Sequence, residues 1–130
     1  MVTEASERVL YVDDEPTLVF LITRALDKLG IASQGFANAQ EALAAFERAP
    51  HTFTLVLTDF TMPGGMSGLE LAQAVLAIRP DAKVVIATGA IDPADARRAA
   101  AAGVRRVIQK PAKVPEMARL VSELLRELRP

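Results

Sequence analysis

The sequence predicts an α/β fold, a doubly wound five-stranded parallel sheet with helices on both faces, and three observations carry that reading. Short apolar runs recur along the 130 residues, and the central one, Leu55-Val56-Leu57, lacks the polar alternation of a half-exposed strand. Between the runs lie segments with apolar residues at helical spacing. The connecting loops are short, and strict strand–helix alternation with short loops calls for right-handed crossovers into a parallel sheet.

Each element has its own justification. Arg8 to Val12 is a short apolar strand that runs into Asp13-Asp14-Glu15-Pro16. Pro16 suits the first turn of a helix, where its missing N–H costs nothing. Leu18, Ile22, Ala25 and Leu29 continue that helix to Gly30, a natural C′ residue. Ile31 to Phe36 is a weak strand, and Asn38 followed by Glu41 gives a capping-box-like start to a helix that stops before Pro50. Thr52 to Thr58 is the central strand. Ser67 and Glu70 repeat the capping signature ahead of Leu71, Val75 and Ile78. Lys83 to Ala87 is the fourth strand, and Asp92-Pro93 opens an alanine-rich helix closed by Gly103. Val104 to Ile108 is the fifth strand, and the last helix, from about Pro115, carries Met117, Leu120, Val121, Leu124 and Leu128.

Length and composition bound the function. A chain of 130 residues supports one domain, assigned to 8–130 behind a disordered tail at 1–7. Fifteen basic and sixteen acidic side chains leave a formal charge of −1, which offers no basic surface for nucleic acid or anionic lipid. No run approaches the roughly 20 apolar residues of a membrane span. The absence of cysteine excludes disulfides and thiol chemistry, and a single histidine, His51, excludes a multi-histidine metal centre. The polar, acidic start lacks the order of a secretory signal, so a cytoplasmic location is expected.

The informative pattern is at the strand ends. Asp13 and Asp14 follow the first strand, Asp59 the third, Thr88 the fourth and Lys110 the fifth. In an open α/β sheet these carboxyl ends form one edge, and that edge is where ligands bind. Three carboxylates gathered there repel, by about 1 kcal/mol per pair at 4 Å in water and about 4 at an effective dielectric of 20. A cation therefore belongs among them, and an all-oxygen donor set selects a hard ion such as Mg²⁺, which takes one or two carboxylates plus a phosphate oxygen. Lys110 adds a fixed positive charge and Thr88 a hydroxyl donor. Together they describe a carboxylate that accepts a phosphoryl group.

The phrases Val12-Asp13-Asp14-Glu15-Pro16, Thr58-Asp59-Phe60-Thr61-Met62-Pro63 with Met66-Ser67-Gly68, Ala87-Thr88-Gly89 and Lys110-Pro111 resemble the receiver domain of two-component response regulators, most closely receivers attached to hybrid histidine kinases. The resemblance covers about Arg8 to Leu128. It implies a flavodoxin-like fold with strand order 2-1-3-4-5. It implies a phospho-accepting Asp59, with Thr88 and Lys110 on the phosphoryl oxygens. Mg²⁺ would be bound directly by Asp14, Asp59 and the main-chain carbonyl of Thr61, and by Asp13 mainly through water. It further implies a phosphorelay role, with a sensor histidine kinase or histidine phosphotransfer protein as donor. Such a protein is a signalling receiver, monomeric or weakly dimeric, that catalyses only its own phosphorylation and dephosphorylation. No output domain is expected within this chain.

Two departures stand out. The turn after Asp59, Met62-Pro63-Gly64-Gly65-Met66-Ser67-Gly68, is one residue longer than the family spacing, and Val107 occupies a position, three before the lysine, where receivers usually carry Tyr or Phe. Pro16, Leu18, Val19 and Ile22 lie near the acidic edge, some of them exceed what one buried stripe needs, and the set marks a partner surface. The competing reading is an aspartyl-phosphate phosphatase of haloacid-dehalogenase type. Such an enzyme needs an acid two residues after its nucleophile, where this chain has Thr61, and a cap domain for which there is no room.

Overall fold

The computed structural model describes residues 8–128, so the tail expected at 1–7 lies outside the described residues. Five strands, β1 (Arg8–Val12), β2 (Ser33–Phe36), β3 (Phe53–Asp59), β4 (Val84–Thr88) and β5 (Arg106–Gln109), alternate with five α-helices. The helices are α1 (Pro16–Lys28), α2 (Ala39–Arg48), α3 (Gly68–Ile78), α4 (Pro93–Ala102) and α5 (Val114–Glu127). The strands pair in parallel in the order β2-β1-β3-β4-β5, as the resemblance implied.

The period-2 alternation of each strand divides the core in two. Leu10, Val12, Val56, Val84 and Ile86 face the α2, α3 and α4 side with Phe46, Leu71 and Val75. Val9, Tyr11, Leu55, Leu57 and Val85 face α1 and α5 with Ile22, Leu26, Val121 and Leu124. The rings of Phe46 and Phe53 stack at 5.9 Å where α2 meets the start of β3. Burial on both faces is what the unbroken apolar runs of β3 and β4 required.

Local signals behave as the residue chemistry demands. Ser67 and Glu70 form a complete capping box at α3, and Asn38 accepts from the Glu41 N–H at α2. Asp92 stands at the N-cap of α4 without a side-chain capping bond, and the helix start rests on Pro93. Gly103 closes α4 at φ 104°, a left-handed conformation that favours glycine.

Several boundaries differ from expectation. β3 begins at Phe53, since Thr52 sits in a short 3₁₀ turn with Pro50 and the exposed His51, and it ends on Asp59 itself, which still pairs with Ala87 of β4. β4 is displaced one residue onward, to Val84–Thr88, by the register Val56↔Val84 and Thr58↔Ile86. β5 begins at Arg106, since Val104 and Arg105 lead out of the glycine turn and only then does the ladder with β4 form. Among the described residues no helix is long and apolar enough to cross a membrane.

Candidate functional site

Three strands deliver the carboxylates and the lysine to one edge. Asp13 follows β1 directly and is fully buried; Asp14, one residue on, points to solvent. Asp59 is the last residue of β3 and is 9% exposed. Oxygens of Asp13, Asp14 and Asp59 all lie within 4.8 Å of one another. Lys110, the first residue after β5, reaches into the cluster from the far side. Its Nζ stands 2.7 Å from Asp13 Oδ2 and 3.0 Å from Asp59 Oδ1.

Asp13 is the most constrained member. Its Oδ1 accepts from the Glu15 N–H at 3.0 Å, and its Oδ2 accepts from the Tyr11 hydroxyl at 3.0 Å as well as from Lys110. A buried carboxylate is stable only with partners of this kind. Tyr11 was not among the expected site residues. The signal was present in the chain, because residues two apart on a strand share a face, and Tyr11 stands two before Asp13.

The charges remain unbalanced. One ammonium faces three carboxylates, and the Asp59 carboxyl is pushed up to about 7, first by burial and then by the neighbouring Asp13 charge, with the Lys110 hydrogen bond and charge opposing the rise. Burial alone would lower the Lys110 ammonium, but its hydrogen bonds to Asp13 and Asp59 outweigh that and raise it. Burial, followed by the Asp13 charge, also raises the Tyr11 hydroxyl above its usual range. An all-oxygen cluster with surplus negative charge and one exposed carboxylate fits a hard divalent cation, and its donors suit Mg²⁺ in type.

Thr88 stands at the end of β4 on the same edge, but its hydroxyl is turned into its own loop. It donates to the Ala90 carbonyl at 3.2 Å and accepts from the Ala90 N–H at 3.4 Å. The Gln109 amide donates to the Gly89 carbonyl, tying this loop to the end of β5, and the Lys110 N–H donates to the Thr88 carbonyl at 2.8 Å. Thr61 is exposed on the loop after Asp59. That loop is closed by the Gly68 N–H donating to the Phe60 carbonyl at 2.9 Å. A Cβ at Gly68 would collide with the Asp59 carbonyl, so this glycine allows α3 to begin directly against the site. In the longer turn, Met62 is buried, whereas Pro63, Gly64 and Gly65 project into solvent.

The start of α1 lies beside the cluster, and here the expectation needs correction. Val19 and Ile22 are buried by the sheet and α5 side of the core, so they are unavailable to a partner. Pro16 is exposed and Leu18 half-buried, and the large apolar side chains that face solvent are Phe20, at 57%, and Leu21, at 44%. Arg24 lies over the Phe20 ring at 5.4 Å.

Comparison with known proteins agrees with this fold. The chain is 32% identical over 124 residues to the response regulator receiver protein CpdR of Brucella abortus, covering 92% of this chain and 97% of that one. It spans only about a quarter of the length of several other curated relatives. A CheY-like receiver domain protein from Methanospirillum hungatei superposes with a TM-score of 0.81 at 29% identity, over 93% of this chain and 94% of that one. The response regulator TrrA of Thermotoga maritima, solved in complex with Mg²⁺–BeF, gives 0.74 at 30% identity, over 91% and 98%. The response regulator receiver domain model matches residues 9–122, and with that match spanning the strand-end carboxylates and Lys110, the chain belongs to the response regulator receiver domain family.

Proposed function

We propose that this receiver takes a phosphoryl group onto Asp59 from a phosphohistidine of a sensor histidine kinase or a histidine phosphotransfer protein. The observation that carries the reading is Lys110 Nζ held 3.0 Å from Asp59 Oδ1 at the mouth of a three-carboxylate cluster. An Asp59 oxygen attacks phosphorus, the P–N bond to the donor imidazole breaks, and the imidazole leaves with its proton supplied from its own side. Lys110 then turns from the carboxylates to an oxygen of the transferred group, where a charge-assisted hydrogen bond replaces the ion pair. The Thr88 hydroxyl exchanges its Ala90 partner for a second phosphoryl oxygen.

Asp14, Asp59 and the main-chain carbonyl of Thr61 would hold Mg²⁺ directly, and Asp13 would reach it mainly through water. When bound, the ion supplies positive charge that offsets the carboxylates and the transferring phosphoryl oxygens. The crowding of Asp13 supports its indirect role, since three donors already occupy its oxygens.

In this reading the chain is a cytoplasmic signalling receiver, monomeric or weakly dimeric, occupying residues 8–130. Its chemistry is confined to gaining and losing its own phosphoryl group. Attachment to a hybrid histidine kinase rests only on the likeness of its sequence phrases, and the reading frame decides it. Mass measurement after incubation with acetyl phosphate and Mg²⁺ tests the acceptor. The wild type should gain one phosphoryl mass, chelation should abolish the gain, and an Asp59→Asn variant that still gains it would overturn the assignment.

A further inference from the structure

We infer that Tyr11 is a positioning residue for the cation and phosphoryl site, its hydroxyl holding Asp13 in the orientation that the rest of the cluster requires. The inference rests on the reading of that cluster given above. Tyr11 is 2% exposed, with its ring in the apolar layer between the sheet and helices α1 and α5. Only its hydroxyl leaves that layer, and it donates at 3.0 Å to Asp13 Oδ2, the oxygen that also takes the Lys110 ammonium.

The arrangement does more than satisfy a buried hydroxyl. Asp13 is fully buried and its plane is set by three donors, one of which, the Glu15 N–H, belongs to the backbone. Tyr11 is the only rigid side chain among the three, because Lys110 must leave when it engages a phosphoryl oxygen. While Lys110 moves, the tyrosine hydroxyl remains to keep Oδ2 in place. A hydrogen bond from behind the Asp13 carboxylate fixes the direction in which it meets the water bound to the cation, and loss of such an outer partner typically weakens metal binding about 10- to 100-fold.

Tyr11→Phe removes the hydroxyl and keeps the ring, separating positioning from packing. Calorimetric titration with Mg²⁺ alone should show binding weakened about 10-fold, the lower end of that range. Thermal unfolding without metal should show only a modest loss, because the Asp13 carboxylate keeps its Lys110 and Glu15 N–H donors. Labelling by acetyl phosphate should fall at low Mg²⁺ and recover at saturating Mg²⁺, the split expected when binding is affected rather than the transfer step. Tyr11→Phe placed in an Asp13→Asn background should weaken Mg²⁺ binding little further, since the tyrosine acts through that carboxylate. Mg²⁺ binding in Tyr11→Phe within twofold of wild type, or full additivity in the double variant, would overturn the role of Tyr11 while leaving the acceptor assignment intact. A wild-type protein that takes up no Mg²⁺ would overturn the cluster reading and the tyrosine role with it.

Discussion

Lys110 Nζ donates to Asp59 Oδ2 at 3.1 Å across a separation of 51 residues, so the pair exists only when β3 and β5 are both in place in the sheet. The lysine is the one cation among the described residues that touches the acidic cluster. Replacing it with methionine keeps the stem and removes the charge. Phosphoryl transfer to Asp59 should slow on the order of 100-fold, the scale of losing one donor to a developing anion. A time course of acetyl-phosphate labelling followed by mass checks this, and a rate within threefold of wild type would show that Lys110 is not needed.

The Asp59 carboxyl gives the metal-free protein a pH dependence of defined sign. Its folded value, about 7, lies above the ordinary 3.8, so the folded state prefers the protonated form. The stability this contributes is complete below the ordinary value and is lost as pH rises through about 7. Asp59→Asn removes the ionisable group. In chelator, the variant should be more stable than wild type at pH 8, by on the order of 1–3 kcal/mol, the cost of a buried group imperfectly satisfied. Near pH 5 the difference should shrink. Urea unfolding at the two pH values measures it, and a wild type that gains stability between pH 5 and 8 relative to the variant would reverse the sign.

The parts legible in the chain were those set by local chemistry. Apolar runs ending in Asp13, Asp59 and Lys110 place those residues at strand ends whatever the neighbouring helices do. The details that escaped depend on partners distant in sequence. β4 is framed by its register with β3, so its ends shift by one residue from the apolar run. The Thr88 hydroxyl turns to Ala90 because the loop offers a free N–H and carbonyl, which no periodicity reveals. Helical spacing on α1 identifies a stripe, but the sheet and α5 decide that Val19 and Ile22 lie inside it and Phe20 and Leu21 outside. Tyr11 shows the opposite case, a contact that strand alternation alone would have suggested.

That corrected α1 surface leads to a partner prediction. Phe20 and Leu21 are exposed beside the start of the helix, and the Arg24 guanidinium over the Phe20 ring frames an apolar spot with a cation. A helical histidine domain could pack an apolar face there. Phe20→Asp should slow transfer from the cognate phosphohistidine about 10-fold or more, the loss typical of an aromatic anchor, because it puts a charge where burial is needed. Labelling by acetyl phosphate should be unchanged. Equal loss with both donors would point instead to a damaged site or fold.

Val107 is predicted to limit how far phosphorylation is felt. It is half-buried on β5 opposite Ile86, packed against the α2, α3 and α4 side of the core. It lines a cleft with Phe60, Ile86, Thr88 and Ala99, between the end of β4, β5 and α4. A valine has no ring to turn inward when Thr88 moves, so one means by which the two states could differ is missing, and a ligand shifts an equilibrium only by its differential affinity for the states. Thr88 and Lys110 should still respond locally to a new anion. Addition of beryllofluoride with Mg²⁺ should therefore shift the amide resonances of 59–61, 88–90 and 110 strongly, and those of 94–103 and 119–128 only weakly. Sizing should show no sharp monomer-to-dimer transition. Large shifts throughout the two helical segments would mean that the surface remains coupled. In that event the ring already lining the cleft, Phe60, is the residue to replace: loss of the distant shifts in Phe60→Leu, with labelling retained, would assign the coupling to it.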